Sequence, residues 1–294
     1  MSFHFVKLRK IWYIISLAVL VPGLISLMLQ GLNLGIDFTG GSLVEVRFKE
    51  PTAINEVRDV VTGQGLASAK SIQKSGETDF LIRTRELNEE QSSALISVLR
   101  ENVGELDLLR NERVGPVISN ELLRNALLAL VIASALILVY ISIRFEFKQG
   151  IAAIVAILHD VLVVLGIFSL LQIEVNSAFV AAVLTIIGYS INDTIIIFDR
   201  IRENLHFRQR GEDLEDMVNR SIWQTVVRSI NTVLTVVFVL VALLLLGGPT
   251  IHNFVLAMLI GVTSGAYSSI FTASPVWLEL KLREERGGGQ VAQA

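Results

Sequence analysis

Residues 185–204, TIIGYSINDTIIIFDRIREN, place Asn192 and Asp193 side by side inside an apolar run long enough to cross a bilayer. Ile186, Ile187, Ile191, Ile195, Ile196, Ile197 and Phe198 make the surroundings lipid-compatible. An ionised Asp at the centre of a bilayer costs roughly 2.5 to 3.5 kcal/mol on insertion scales. Thr185, Tyr189, Asn192 and Asp193 fall within one another's i, i+3 and i+4 reach, so a helix puts them on one side. Such residues most often line ion or substrate paths, and the alternative is a structural hydrogen bond to a neighbouring helix.

Other charges fall in other apolar runs. His159 and Asp160 are adjacent in one, and Arg228 stands near the start of another. Around it Gln224, Arg228, Asn231, Thr232 and Thr235 recur at helical spacing, a polar stripe expected to face inward. Asp193 and Arg228 are expected at similar depth, as partners. An apolar environment opposes the ionised carboxylate and a neighbouring guanidinium favours it, so a movement that separates the two favours proton uptake. The rival reading is a permanent pair that fixes packing, with Arg228 snorkelling to the interface as a further alternative. For His159 and Asp160 the choice lies between a hydrogen-bonded pair packing the third and fourth spans and a second proton-handling position.

The elements that must hold these residues are membrane helices. With 52% hydrophobic and 18% charged residues over 294 positions, and a mean hydropathy of +0.60, the chain is more apolar than a soluble domain needs. Residues 11–29, 122–143, 151–171, 178–198, 226–246 and 254–273 read as six spans. Pro22 is expected to kink the first. The first run is too long for a cleaved signal peptide and lacks its small-residue cleavage site. Lys7, Arg9 and Lys10; Arg144 and Lys148; Arg200, Arg202, Arg208, Arg210 and Arg220; and Lys281, Arg283 and Arg286 all fall on one side, so the positive-inside rule puts both termini in the cytoplasm. Asp199, Arg200, Arg202 and Glu203 read as a solvated cluster at the water boundary. The net charge of −3 argues neither for nor against nucleic acid, and the absence of cysteine excludes disulfides and thiolate chemistry.

Between the first two spans, residues 32–121 carry charges of both signs and read as an extracytoplasmic domain. Residues 42–48 alternate as a half-buried strand. Pro51 and Thr52 open a helix faced by Ile54, Val57, Val60 and Val61, which Gly63 and Gly65 end. Strands at 70–74 and 78–84 flank the turn Ser75-Gly76-Glu77. Asn88 and Gln91 form a capping box for a helix carrying Leu95, Val98, Leu99 and Val103, ended by Gly104. A strand at 106–110 completes βαββαβ, the split βαβ plan of ferredoxin-like folds. The expected fold class is therefore a polytopic α-helical membrane protein with an α+β ferredoxin-like domain between helices one and two. The division is 1–31, 32–121, a bundle at 122–274 with a cytoplasmic loop at 199–225, and a tail at 275–294 whose last residues, from 287, are expected to be disordered. The Gly-rich stretch 35–41 precedes a strand and lacks the GK[ST] ending of a phosphate loop. No zinc spacing or nucleophile elbow occurs, so neither enzymatic activity nor a cofactor is expected. Gly261 and Gly265 in GxxxG spacing suit close helix packing, and His4, His206 and His252 read as ordinary surface histidines.

GIDFTGG (35–41), RVGP (113–116), LHD (158–160), GYSINDTIIIFDRIREN (188–204), VRSINT (227–232) and GAYSSIFTASP (265–275) resemble, in order, motifs of the SecD/SecF family of protein-export membrane proteins, relatives of the RND transporters. The resemblance covers nearly the whole chain. It implies a half-transporter that pairs with SecD, associates with the SecYEG channel together with SecA and YajC, and engages emerging secretory polypeptides. It implies a multi-pass protein of the bacterial cytoplasmic (inner) membrane, using the proton motive force to promote translocation. It carries the family's intramembrane Asp and Arg onto Asp193 and Arg228, and makes Gly35, Asp37, Gly40 and Gly41 a structural motif. Ser229 stands where a Thr is common, and Val117-Ile118-Ser119 lacks a second Gly common after RVGP. The alternatives are an RND-like, proton-driven exporter of small molecules or lipids, and a passive scaffold.

Overall fold

The computed structural model describes residues 3–65, 72–208 and 211–291. In chain order these form α1 (Arg9–Leu29), α2 (Ile36–Thr39), β1 (Gly41–Phe48), α3 (Ile54–Gly63), β2 (Ile72–Ser75), β3 (Asp79–Thr84), α4 (Glu89–Asn102), β4 (Leu106–Val114) and α5 (Pro116–Arg144). Next come α6 (Phe147–Leu170), α7 (Ser177–His206), α8 (Leu214–Leu246) and α9 (Pro249–Ser268). A π-helical turn (Ser269–Ala273) then leads into α10 (Ser274–Val291). The chain divides into two compact units, one of residues 34–128 and one of residues 1–33 with 129–294.

The α/β unit has the expected βαββαβ order, and its antiparallel sheet runs β2-β3-β1-β4. Val44, Val46 and Phe48 of β1 meet Phe80 and Ile82 of β3 beneath Val57 and Val61 of α3 and Leu95 and Leu99 of α4, all buried. The capping box forms: Asn88 Oδ1 accepts from Gln91 N at 2.8 Å and Gln91 Oε1 from Asn88 N at 3.0 Å. Residues 70 and 71 of the expected second strand lie outside the described residues. β4 runs on to Val114, four residues past the expected 110, because it pairs with β1 from Leu106↔Phe48 to Val114↔Gly41, with a register shift at Glu45/Val46 that leaves Leu109 unpaired in the ladder.

The start of β1 explains the two glycines. Gly40 and Gly41 have φ of +72° and +122°, and a Cβ on Gly41 would stand 2.4 Å from Thr84 O. Gly35 lies ahead of them as the N-cap of the single-turn α2, with Asp37 in its first turn. On the sheet face away from the helices, Arg47 donates from Nε and Nη2 to both carboxylate oxygens of Asp79 at 2.7 Å each, which holds that carboxyl below its usual range. Glu45 on the same strand is buried, its Oε1 lacks a hydrogen-bond partner among the described residues, and burial pushes its carboxyl upward.

The helical unit confirms the count from hydropathy: six helices among the described residues are long and apolar enough to cross a membrane. The last of these is continuous from Thr250 to Glu285 across the π turn. Helix continues to Val291 where disorder was expected from 287, with Trp277 and Leu278 anchoring α10 in the core. Gly23 of α1 and Gly166 of α6 bring two backbones together, since a Cβ on Gly23 would lie 2.7 Å from Gly166 Cα. Gly261 and Gly265 do the same for α9 against Ile186 and Ser190 of α7.

Candidate functional site

Two of the buried carboxylates in the helical unit, Asp160 and Asp193, lie on membrane-length helices, and their surroundings differ. Asp160, midway along α6 and 1% exposed, is ringed by small hydroxyls. Ser190 of α7 donates to Oδ2 at 2.6 Å, Ser268 of α9 to Oδ2 at 2.7 Å, and Ser264 of α9 to Oδ1 at 2.6 Å. His159 Nδ1 lies 3.1 Å from Oδ1. The cluster ties α6 to α7 and also to α9, one helix more than the packing alternative had assigned to this pair.

Asp193 on α7 is 6% exposed. Ser229 of α8 donates to its Oδ1 at 2.5 Å, and its Oδ2 is buried with no hydrogen-bond partner among the described residues. The expected contact with Arg228 is not made: the guanidinium is exposed, and no ion pair joins the two among the described residues. Helix geometry is the reason. Adjacent positions on a helix point roughly 100° apart, so when Ser229 faces Asp193 its neighbour Arg228 is turned aside, beyond ion-pair contact but close enough for its charge to act on the carboxylate.

The same rotation corrects the polar stripe. Thr225, Val226 and Ser229 are buried positions of α8 beside the stripe, while Gln224, Arg228, Asn231, Thr232 and Thr235 are exposed. They continue onto an exposed strip of α7, where Thr185, Gly188 and Asn192 lie open and Tyr189 is half-buried. The Tyr189 hydroxyl donates to Thr232 O at 3.0 Å, joining the two strips. A polar surface of this extent on membrane-length helices leaves groups that lipid cannot satisfy. At its end, Gln224 Oε1 accepts from Arg200 Nε at 2.6 Å and Asn204 Nδ2 at 2.8 Å. Beyond it, Asp199 pairs with Arg144 at 3.2 Å and Arg202 at 3.1 Å in a partly exposed cluster.

The residues that the sequence left unassigned are the serines. Ser190, Ser264 and Ser268 make Asp160 tolerable, and Ser229 is the direct partner of Asp193. Their signal was spacing: Ser264 and Ser268 are one turn apart, and Ser190 lies one turn before Asp193. Thr194 Oγ1, 2.8 Å from Ser269 Oγ, adds a further hydroxyl contact between α7 and the π turn.

Residues 94–283 match the family described as protein export membrane protein SecD/SecF, C-terminal, and residues 25–52 match the SecD/SecF GG motif. A protein translocase subunit SecF of Acidaminococcus fermentans is 43% identical over 97% of this chain and 99% of its own length. A protein translocase subunit SecDF of Bacillus subtilis is 41% identical over 96% of this chain, which spans 39% of that longer protein. The crystal structure of SecDF, a translocon-associated membrane protein from Thermus thermophilus, superposes with a TM-score of 0.88 at 35% identity, covering 96% of this chain and 39% of that one.

Proposed function

This chain belongs to the SecD/SecF family of protein-export membrane proteins, and from that premise we propose that it is the SecF-type subunit of a Sec translocase and that it couples proton movement to protein export. It is a multi-pass membrane protein with an accessory role in translocation. The finer reading places it in the cytoplasmic membrane of a bacterium with both termini inside. There it acts without catalysing a covalent reaction, beside the SecYEG channel with SecA and YajC, on polypeptides emerging from it.

The observation that carries the reading is the half-satisfied Asp193 at the border of an exposed polar face. A SecD half is the natural cover for that face, because relatives exist in which both names belong to a single longer chain. Within such an interface Arg228 and Asn192 have room to reorient towards Asp193. Protonation of the carboxylate removes the charge that Arg228 attracts, and deprotonation restores it. Each proton that crosses a potential of 100 mV delivers about 2.3 kcal/mol, enough to bias a two-state arrangement more than tenfold.

The test is export of a secreted precursor in cells depleted of this protein and rescued at matched expression with wild type or Asp193→Asn, with and without an uncoupler. Rescue by wild type only while the gradient is intact, and failure of Asp193→Asn, is the expected result. Equal rescue by both would remove proton coupling from this residue.

A further inference from the structure

Residues 3–8 lead into α1 without forming helix or strand, yet they are docked along the start of α8. Phe5 N donates to Asn219 Oδ1 at 2.8 Å, and Trp223 Nε1 donates to Phe3 O at 2.8 Å. His4 Nε2 lies 2.9 Å from Asp216 Oδ1, and Lys7 Nζ donates to the same oxygen at 3.2 Å. Phe5 and Val6 are buried in the cluster that holds Met217, Ile222 and Trp277. The Phe5 ring meets Trp223 at 5.1 Å and Phe271 of the π turn at 5.9 Å. The segment is a strap across α8, anchored on α1 where Trp12 Nε1 donates to Phe5 O at 2.9 Å.

The strap lies opposite α7. Asn219 and Ser221 are two positions apart and so point roughly 200° from each other on a helix. The first takes the strap, and the second accepts from Asn204 Nδ2 of α7 at 2.8 Å. The start of α8 is therefore gripped from both sides. Its far half is held less: all its buried residues except Leu240 lie between Leu214 and Ser229. Ser229, the last of that gripped stretch, is the partner of Asp193. Whatever fixes the start of α8 thus fixes which side chain meets the carboxylate, Ser229 or its neighbour Arg228.

The grip on the strap side is of a kind that opens. Two strap side chains are buried, and the rest of the hold is hydrogen bonds and ion pairs, with Lys7 and Asp216 each more than half exposed. Exposed ion pairs contribute little to stability. Segments held by few buried contacts open before the fold as a whole does.

We propose that residues 3–8 are a releasable strap: docked, they hold α8 with Ser229 against Asp193, and released, they let α8 shift on α7 so that Arg228 reaches the carboxylate. The inference rests on the proton-coupled reading above, to which it adds the moving part. The strap positions Ser229 and Arg228 and does not itself touch the carboxylate.

The test exploits the absence of native cysteine, which lets introduced thiols report without background. In the full chain in lipid nanodiscs, spin labels on Met28→Cys of α1 and Val239→Cys of α8, both exposed positions, follow α8 by pulsed electron paramagnetic resonance. One narrow distance is expected with the strap intact, and a second population when Phe5→Ala and Val6→Ala loosen it. In membrane vesicles carrying the translocase, His4→Cys and Asp216→Cys joined by a thiol-cleavable bis-maleimide lock the strap down. Gradient-driven export of a secreted precursor should then fall to the level seen with an uncoupler, and cleavage by thiol should restore it. The cleaved protein is its own control for folding, which keeps the test decisive if the alanine variant fails to fold. A strap that only packs predicts unchanged export in the locked protein, and that result would overturn the proposal. A single, unchanged distance in folded Phe5→Ala/Val6→Ala protein would overturn it too. The distance measurement makes no use of export, so its failure is distinct from equal rescue by Asp193→Asn, which removes proton coupling.

Discussion

Asp160 and Asp193 are both buried carboxylates on membrane-length helices, yet one meets four potential donors and the other meets one. Asp160 sits where α6, α7 and α9 converge, and every lone-pair direction has a neighbour. Asp193 sits at the edge of the bundle, where α7 and α8 expose a polar face, and its Oδ2 has no hydrogen-bond partner among the described residues. A saturated carboxylate locks helices in one arrangement, because moving any of them breaks charge-assisted hydrogen bonds. A half-satisfied one leaves capacity for a proton or a partner. Burial alone therefore does not distinguish a structural acid from a working one; the number of donors does.

The largest expected effect that would break this contrast is on folding. Asp160→Ala should lower stability by about 3–5 kcal/mol, the range for breaking a buried paired charge. Asp193→Asn should change stability by less than about 1 kcal/mol, since the amide oxygen still accepts from Ser229. Thermal or denaturant unfolding in one detergent decides it, and similar losses for the two would end the distinction.

Next in size are the serines. Ser190→Ala and Ser268→Ala share Asp160 Oδ2, so their effects should couple by about 0.5–3 kcal/mol in a double-mutant cycle. Ser190→Ala and Ser229→Ala have no acceptor in common and should add within about 0.5 kcal/mol. Strong coupling in the second pair would mean that the two carboxylates act as one unit.

The smallest effects are in the α/β unit, where the same contrast between satisfied and unsatisfied acids recurs on one sheet. The Asp79 carboxyl is held low chiefly by its hydrogen bonds to Arg47, so its stabilisation is present above the ordinary carboxylate range and is lost as pH falls through the folded value. Glu45 is pushed upward chiefly by burial. The folded state then binds its proton more tightly than the unfolded state, and stability falls as pH rises through the folded value. Hydrogen exchange of β1 and β3 amides in the full chain should show Glu45→Gln removing the alkaline-side loss and Asp79→Asn removing the acid-side loss. An unchanged pH profile in both variants would separate these acids from the stability of the sheet.

Much of this architecture was legible beforehand because it depends on local pattern. Long apolar runs declare membrane helices, alternation declares β1, and Asn88 with Gln91 declares the start of α4. The ends were less legible, since β4 extends to Val114 only because the start of β1 offers it partners as far as Val114↔Gly41. The candidate acids were legible too, as ionisable residues in apolar runs stand out by type. Which way they face was not. The polar stripe of α8 was expected to turn inward, and it is exposed because Thr225, Val226 and Ser229 occupy the packed side.

By itself, then, the sequence determined the six membrane helices, the βαββαβ plan and the identity of the ionisable residues, since each follows from composition and spacing along one segment. Only the tertiary structure decided that Asp160 is saturated by serines from two other helices and that Asp193 meets Ser229 in place of Arg228. The physical reason is rotation. Helical spacing says which residues share a face, but the direction of that face is set by how close neighbouring backbones can come, here at Gly23 with Gly166 and at Gly261 and Gly265 against α7.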